Sequence, residues 1–380
     1  MKILYDHQAF SNCSYGGICR YFFELMRHYY RQKVPFELAA QSINNHYLES
    51  AIETKDWCSN TPRSALPMWR RCRRAFSRFF GKEAERSDFL FENKRAGVAA
   101  LERNAFDIFH PTYYDPYFLE HLSKKPFVLT VHDCIHELFP EFLMTDPAYR
   151  SKERLAQSAA KVIAVSERTK EDLLRIYDVD ERKITVVYHG NSLDANVENA
   201  NLRLPSRYLL FVGDRTIYKN FYLLARVIAS LAKHDRELSL LCMGGPKFSQ
   251  RELRFFELIG IRDQVRWRAA DDPSLVSAYR RALLFVYPSL YEGFGIPLLE
   301  AFACGCPVAC SRTSCFPEIA GDAAAYFEPK EFDSMKETIA ELLRNEDLRK
   351  RLRTAGYKRL QRFSWEQCAH QTMRVYESCL

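Results

Sequence analysis

A chain of 380 residues with 47% apolar residues is long for one core and sufficient for two. The net charge of +7 is modest for that length, so where the charge sits says more than its total. No run is apolar and long enough to cross a bilayer as a helix. The start "MKILYDHQAF" also lacks a secretory pattern, and a reduced, cytoplasmic protein is expected.

Short apolar, β-branched or aromatic runs recur from one end to the other. In chain order they are "KILYD" (2–6), "FELAA" (36–40), "FDIFH" (106–110), "FVLTVHD" (127–133), "KVIAVS" (161–166) and "KITVVYHG" (183–190). They continue with "RYLLFVGD" (207–214), "LSLLCMGG" (238–245), "LLFVYPS" (283–289), "PVACS" (307–311) and "AAYFEP" (324–329). Several are apolar at every position, as strands buried on both faces of a parallel sheet must be. Helical patterns such as "RYFFELMRHYYR", "SERTKEDLLRIY" and "NFYLLARVIASLAKH" lie between them. The alternation predicts doubly wound α/β sheets. The polar, Asn-rich stretch 190–207 reads as the boundary between two such domains, with a ligand cleft between the carboxyl ends of their strands. No G-x-G-x-x-G follows a strand and no G-x-x-x-x-G-K-[ST] occurs, which disfavours a nicotinamide dehydrogenase and a P-loop kinase.

Residues 63–82, "RSALPMWRRCRRAFSRFFGK", hold seven Arg or Lys and no acid. As a helix, Trp69, Cys72, Phe76 and Phe79 share one face, and Arg70, Arg71, Arg74 and Arg78 cover much of the rest. That pattern suits an anionic membrane surface. An aromatic face packed on the core, or a nucleic-acid patch, are the competing readings. Among the twelve cysteines the densest group, Cys304, Cys306, Cys310 and Cys315, lacks zinc-site spacing and reads as small buried apolar side chains. The "DVD" at 178–180 lies in a turn between a helix and a strand and reads as surface, so no metal and no other cofactor is expected.

Two stretches carry chemistry. In "YEGFGIPLLE" (291–300), Gly293 and Gly295 permit a sharp turn and Pro297 suits the first turn of a helix. The helix start offers free N–H groups, while Glu292 and Glu300 offer fixed acceptors for hydroxyls. In "FVGDRTIYKNF" (211–221) a strand ends at Gly213, and Arg215 and Lys219 follow as a phosphate fork and a mobile point charge. Solvated surface charges explain either stretch read alone.

Together the two stretches resemble the family 4 retaining glycosyltransferases of the GT-B fold, with a Glu-x7-Glu segment followed by "AFACGCPVACS" and "FPEIAGDAA". "SYGGICRYFFEL", "VHDCIHELFPE" and "FSWEQCAHQTMRVYESCL" extend the likeness from the first strand to the last helix. The resemblance implies an acceptor-binding Rossmann-like domain over 1–190, a nucleotide-sugar domain over 205–364, and a helix over 365–380 crossing back onto the first. It implies that Arg215 and Lys219 bind the donor diphosphate, that Glu292 contacts the donor sugar, and that Glu300 contacts the ribose. The backbone of Phe294, Gly295 and Ile296 would hold hexose hydroxyls or phosphate, with Gly16 and Gly17 near the diphosphate. His132 would face the reacting carbon; His110, Asp133 and His136 are lesser candidates for the acceptor. "VRWRAADDPS" lacks the glycine usual near the base-binding loop, so no base contact is assigned.

The likeness is greatest to bacterial O-antigen and capsule mannosyltransferases. It implies retaining transfer of mannose from GDP-mannose to a lipid-linked glycan, peripherally at the inner face of the cytoplasmic membrane, with no nucleic-acid partner. UDP-glucose, UDP-galactose or UDP-GlcNAc remain alternative donors. A membrane- or nucleic-acid-binding module without catalysis leaves Arg215, Lys219 and both glutamates unexplained. A phosphorylase would need a pyridoxal-phosphate lysine that has no counterpart here.

Overall fold

The computed structural model describes residues 1–12, 15–41, 45–50, 90–140, 147–199 and 201–380. The basic segment 63–82 lies outside the described residues, and with it Trp69, Arg70, Arg71, Arg74, Phe76, Arg78 and Phe79.

The first half contributes β1 (Ile3–Asp6), β2 (Phe36–Ala39), β3 (Ile108–His110), β4 (Val128–Val131), β5 (Lys161–Ala164) and β6 (Ile184–Val186). They form two parallel three-stranded sheets, β2-β1-β3 and β4-β5-β6, joined by a parallel bridge between Phe109 and Phe127. The second half contributes β7 (Tyr208–Val212), β8 (Ser239–Met243), β9 (Val265–Arg268), β10 (Leu284–Tyr287), β11 (Val308–Ser311) and β12 (Ala324–Phe327). These make one six-stranded parallel sheet in the order β12-β11-β10-β7-β8-β9. Counted from β7, the order is third, second, first, fourth, fifth, sixth, that of a doubly wound sheet whose direction of winding reverses between β7 and β10.

Period-two alternation explains why these strands read as unbroken apolar runs. Leu209 and Phe211 of β7, with Leu240 and Cys242 of β8, enter one core. Tyr208, Leu210 and Val212, with Leu241 and Met243, enter another on the opposite face. Burying both faces excludes polar residues from the central strands. Strand β9, "VRWR", has no such run and is not foreseen by periodicity. It lies at the edge of the sheet, where Arg266 is exposed and one face needs no core.

The connecting residues 190–207 form no helix or strand among those described, yet they are not free chain. Leu193 enters the second domain's core, and the Asn199 N–H donates to Ser277 Oγ at 2.9 Å. The Trp365–Glu377 helix returns to the first domain. Trp365, Cys368, Ala369, Val375 and Tyr376 sit in one cluster with Ile3, Tyr5 and Ile163. Tyr29 donates its hydroxyl to the Ala369 carbonyl at 2.9 Å.

Candidate active site

The reversal of winding between β7 and β10 parts the loops at their carboxyl ends, and both chemistry-bearing stretches lie there. After β7, Gly213 takes φ 121, a value suited to glycine. The chain then turns through Asp214, whose carboxylate accepts from Thr216, into a short 3-10 turn Ile217–Lys219 and on into the Phe221–Ala232 helix. After β10, Gly295 (φ 86) caps the Ile296–Ala303 helix with Pro297 in its first turn. Helix geometry leaves the Ile296 N–H without an intrahelical partner.

Lys219 and Glu292 meet: Nζ donates to Oε1 at 2.7 Å, with only 13% and 10% of the side chains exposed. Burial alone would depress the Lys219 pKa, but Glu292, Tyr287 and Tyr218 hold it well above its ordinary value. The ammonium is therefore fixed and charged. Arg215 does not join this pair. Its Nε donates to Glu252 Oε1 at 2.5 Å and its Nη2 to the Pro246 carbonyl at 2.6 Å, while the guanidinium lies 4.8 Å from the centre of the Phe248 ring. Its buried Nη1 has no hydrogen-bond partner among the described residues. Glu252 is locked in turn by a capping box with Ser249. Its carboxyl sits below the ordinary value because hydrogen bonds from Arg215 and Ser249 outweigh its partial burial, the largest single influence. One donor of Arg215 thus stays available on a cation that is otherwise immobilised.

Glu300 is 6% exposed and accepts from Tyr279 Oη at 3.1 Å on Oε2. Burial raises its pKa, and the charge of Arg20, 3.9 Å away across the domain boundary, works against that rise.

The first domain supplies the opposite wall. Gly16 precedes the Gly17–Arg31 helix, and a Cβ added at Gly17 would lie 3.7 Å from Ile296 Cδ1. Two helix N-termini from different domains therefore converge, and both favour negative charge. Gly293 is pressed against β4's end: an added Cβ would stand 1.7 Å from the His132 carbonyl oxygen. The Gly293 carbonyl accepts from Ser166 Oγ at 2.7 Å and from Thr169 Oγ1 at 3.3 Å. Tyr291 Oη donates to Asp172 at 2.7 Å. The sugar-binding loop of the resemblance is thus clamped onto the first domain.

His132 follows β4 and is buried, its ring 5.2 Å from Tyr21 and 6.0 Å from His189 by centroids. Burial lowers its pKa to about 4, and its Nε2 has no hydrogen-bond partner among the described residues. A neutral imidazole whose ring takes no hydrogen bond among the described residues can accept from or donate to a hydroxyl. His110 differs: Nδ1 lies 2.6 Å from Tyr376 Oη and Nε2 2.9 Å from Thr130 Oγ1, so both nitrogens are consumed inside the core. It holds β3, β4 and the last helix together, a structural place rather than an acceptor site. Asp133 caps the turn at Ile135, and His136 stacks on Tyr149. Buried Lys152 ties this segment down by donating to the Asp133 carbonyl and to Glu137, both at 3.0 Å. Cys304, Cys306, Cys310 and Cys315 are buried. Asp180 caps a 3-10 turn and pairs with Arg182.

Sequence reasoning missed Arg20, Asp272 and Glu252. Glu252 carried a signal, the Ser249-x-x-Glu252 capping box. Arg20 sits inside an aromatic run with nothing local to distinguish it.

Two family models match the chain, one described as "Glycosyltransferase Family 4" over residues 15–195 and one as "Glycosyl transferases group 1" over residues 194–359. The O-antigen chain mannosyltransferase B of Escherichia coli is 28% identical over 298 residues, 71% of this chain and 74% of that protein. Sucrose-phosphate synthase of Thermosynechococcus elongatus superposes with a TM-score of 0.74 at 19% identity, over 99% of this chain and 98% of the other. HepE of Anabaena, in complex with UDP and glucose, gives 0.73 at 17% identity over the full length of both. Paired parallel sheets with facing carboxyl ends, and cations where the second sheet reverses, define a nucleotide-sugar transferase architecture. The chain belongs to the family 4 glycosyltransferases of the GT-B fold and resembles the O-antigen mannosyltransferases.

Proposed function

We propose that this enzyme transfers mannose from GDP-mannose, with retention, to a lipid-linked glycan acceptor during synthesis of a bacterial O-antigen or capsule. The observation that carries the reading is that Lys219 meets Glu292 in the loop leading to the Ile296–Ala303 helix, whose start lies against that of the Gly17–Arg31 helix, with Arg215 four residues before Lys219 in the same loop. A departing nucleoside diphosphate gains negative charge, and preorganised cations and amides stabilise it. Lys219 would hold the diphosphate, and Glu292 would accept from a sugar hydroxyl. Glu300 would take the ribose, and His132 would face the reacting carbon. With no carboxylate assigned as nucleophile, the acceptor attacks on the face the leaving group departs from, and a phosphate oxygen takes its proton. Mannose is favoured by the mannosyltransferase relative.

The deciding experiment is a panel of nucleotide sugars scored by thermal shift and then by product analysis. Stabilisation by GDP and GDP-mannose, with an α-linked mannosyl product, is expected; a ligand at ~100 times its dissociation constant adds ~2.7 kcal/mol. A second reading, a UDP-sugar donor, is favoured by the likeness to the UDP- and glucose-bound structure, and selective stabilisation by UDP would replace the first. Undiminished activity in EDTA is expected of a metal-independent site. The acceptor implies work at a membrane surface, for which the 63–82 segment supplies charge. No helix among the described residues is long and apolar enough to cross a membrane. Sedimentation with anionic liposomes, lost on changing Arg70, Arg71, Arg74 and Arg78 to Glu, is the expected outcome.

A further inference from the structure

Arg20 belongs to the first domain, yet its guanidinium lies among second-domain carboxylates. It comes from the first turns of the Gly17–Arg31 helix, and its side chain is 4% exposed. Nε donates to Tyr47 Oη at 3.1 Å, and Nη2 donates to Tyr15 Oη at 3.0 Å and to Asp272 Oδ1 at 2.6 Å. Nη1 is buried without a hydrogen-bond partner among the described residues. It stands 3.9 Å from Glu300 Oε1, too far for a hydrogen bond. The other oxygen of Glu300 is held by Tyr279 at 3.1 Å. The cluster reaches solvent at Asp272, whose side chain is 42% exposed.

A fixed donor and a fixed acceptor thus face each other across a gap that one hydroxyl oxygen can bridge. At ordinary hydrogen-bond lengths from both atoms, such an oxygen closes a triangle on the 3.9 Å base, accepting from one and donating to the other. A buried arginine N–H left unmet is costly, which makes an incoming hydroxyl its natural partner. We propose that Arg20 is a second determinant of donor recognition, contributed by the first domain: Nη1 donates to a ribose hydroxyl of the nucleoside diphosphate while that hydroxyl donates to Glu300. The nucleotide, bound mainly by the second domain, is then read by the first only when the domains are closed. Asp272 and the two tyrosines hold the guanidinium for that contact.

This rests on the donor-site reading above, and the test separates the two. GDP and UDP, with their 2′-deoxy and 3′-deoxy forms, are titrated calorimetrically against the unaltered protein, Arg20→Lys and Lys219→Gln. The unaltered protein should bind one deoxy form on the order of tenfold more weakly than its parent. Arg20→Lys keeps a cation beside Asp272 but loses the second fork nitrogen; it should bind parent and deoxy forms within about twofold of each other, a non-additive cycle. Discrimination undiminished in Arg20→Lys overturns the proposal. So does an unaltered protein that binds the diphosphate in a Lys219-dependent way but ignores the ribose hydroxyls. If neither diphosphate binds, or Lys219→Gln leaves binding unchanged, the donor site itself is wrong and Arg20's role falls with it. Should Arg20→Lys fail to fold, a crystal of the unaltered protein with its diphosphate decides, by whether a ribose oxygen lies within hydrogen-bond distance of Nη1.

Discussion

The two cations of the loop after β7 are partnered differently: Arg215 is held by Glu252 and the Pro246 carbonyl, Lys219 by Glu292. Lys219 pairs with Glu292, so removing it would delete the phosphate ligand of the proposed donor site and leave a nearly buried side chain without its partner. Lys219→Gln should lower kcat/KM for the donor by about 10²–10³-fold, in steady-state kinetics, as for one lost charge-stabilising donor. A fall of less than tenfold would place the diphosphate elsewhere. His132 gives a second test. Its pKa of about 4, and that of about 3 for His110, lie below the ordinary 6.5 because burial disfavours the charged ring. As pH falls below 6.5 the unfolded chain binds protons that the folded chain refuses, so stability present above that value is lost toward the folded values. Each such histidine should remove about 1.6 kcal/mol between pH 6.5 and 5 in denaturant titrations. His132→Asn should make that loss shallower and lower turnover more than donor affinity. An unchanged slope would show that the ring is not held neutral.

At the scale of elements, the loop between β10 and the Ile296–Ala303 helix depends on glycine for two separate reasons. Gly295 needs its left-handed backbone to start the helix, while Gly293 needs to lack a side chain because the His132 carbonyl occupies the space. Gly293→Ala should push the loop from β4 and cut turnover about 10²-fold, as ångström-scale misplacement does. The helical circular dichroism should stay unchanged, since the clash lies between domains and outside every helix. Turnover within threefold of the unaltered enzyme would mean that this contact is not part of the catalytic state. Both glycines and Pro297 were legible in the sequence, because turn and cap chemistry acts within a few residues. Eleven of the strands were legible too, the central ones as apolar runs whose two faces feed two cores. Strand β9 was not, because an edge strand needs only one buried face and its arginines mask the pattern.

For the whole molecule, the last helix is tied back to the end of the first domain. Trp365 begins the returning helix, stacks on His189 at 5.5 Å and donates its indole N–H to Ser192 Oγ at 2.8 Å. Gly190 leaves the room: a Cβ there would meet the Trp365 backbone nitrogen at 2.2 Å. Trp365→Ala should cost ~3–5 kcal/mol in chemical denaturation. Leu258→Ala, at a residue 85% exposed, should stay within ~0.5 kcal/mol. Equal effects would mean that the returning helix is not part of the cooperative core. The sequence by itself determined the strand–helix alternation, the glycine turns, and the carboxylates and cations that mark a family. Those features are written in periodicity and spacing over a handful of residues. Only the tertiary structure decided which charge meets which. Arg215 finds Glu252 at a separation of 37 residues, Lys219 finds Glu292 at 73, and Arg20 finds Asp272 at 252. Partners so far apart are chosen by how the sheets wind and where their strand ends face, and no local pattern in the chain encodes that.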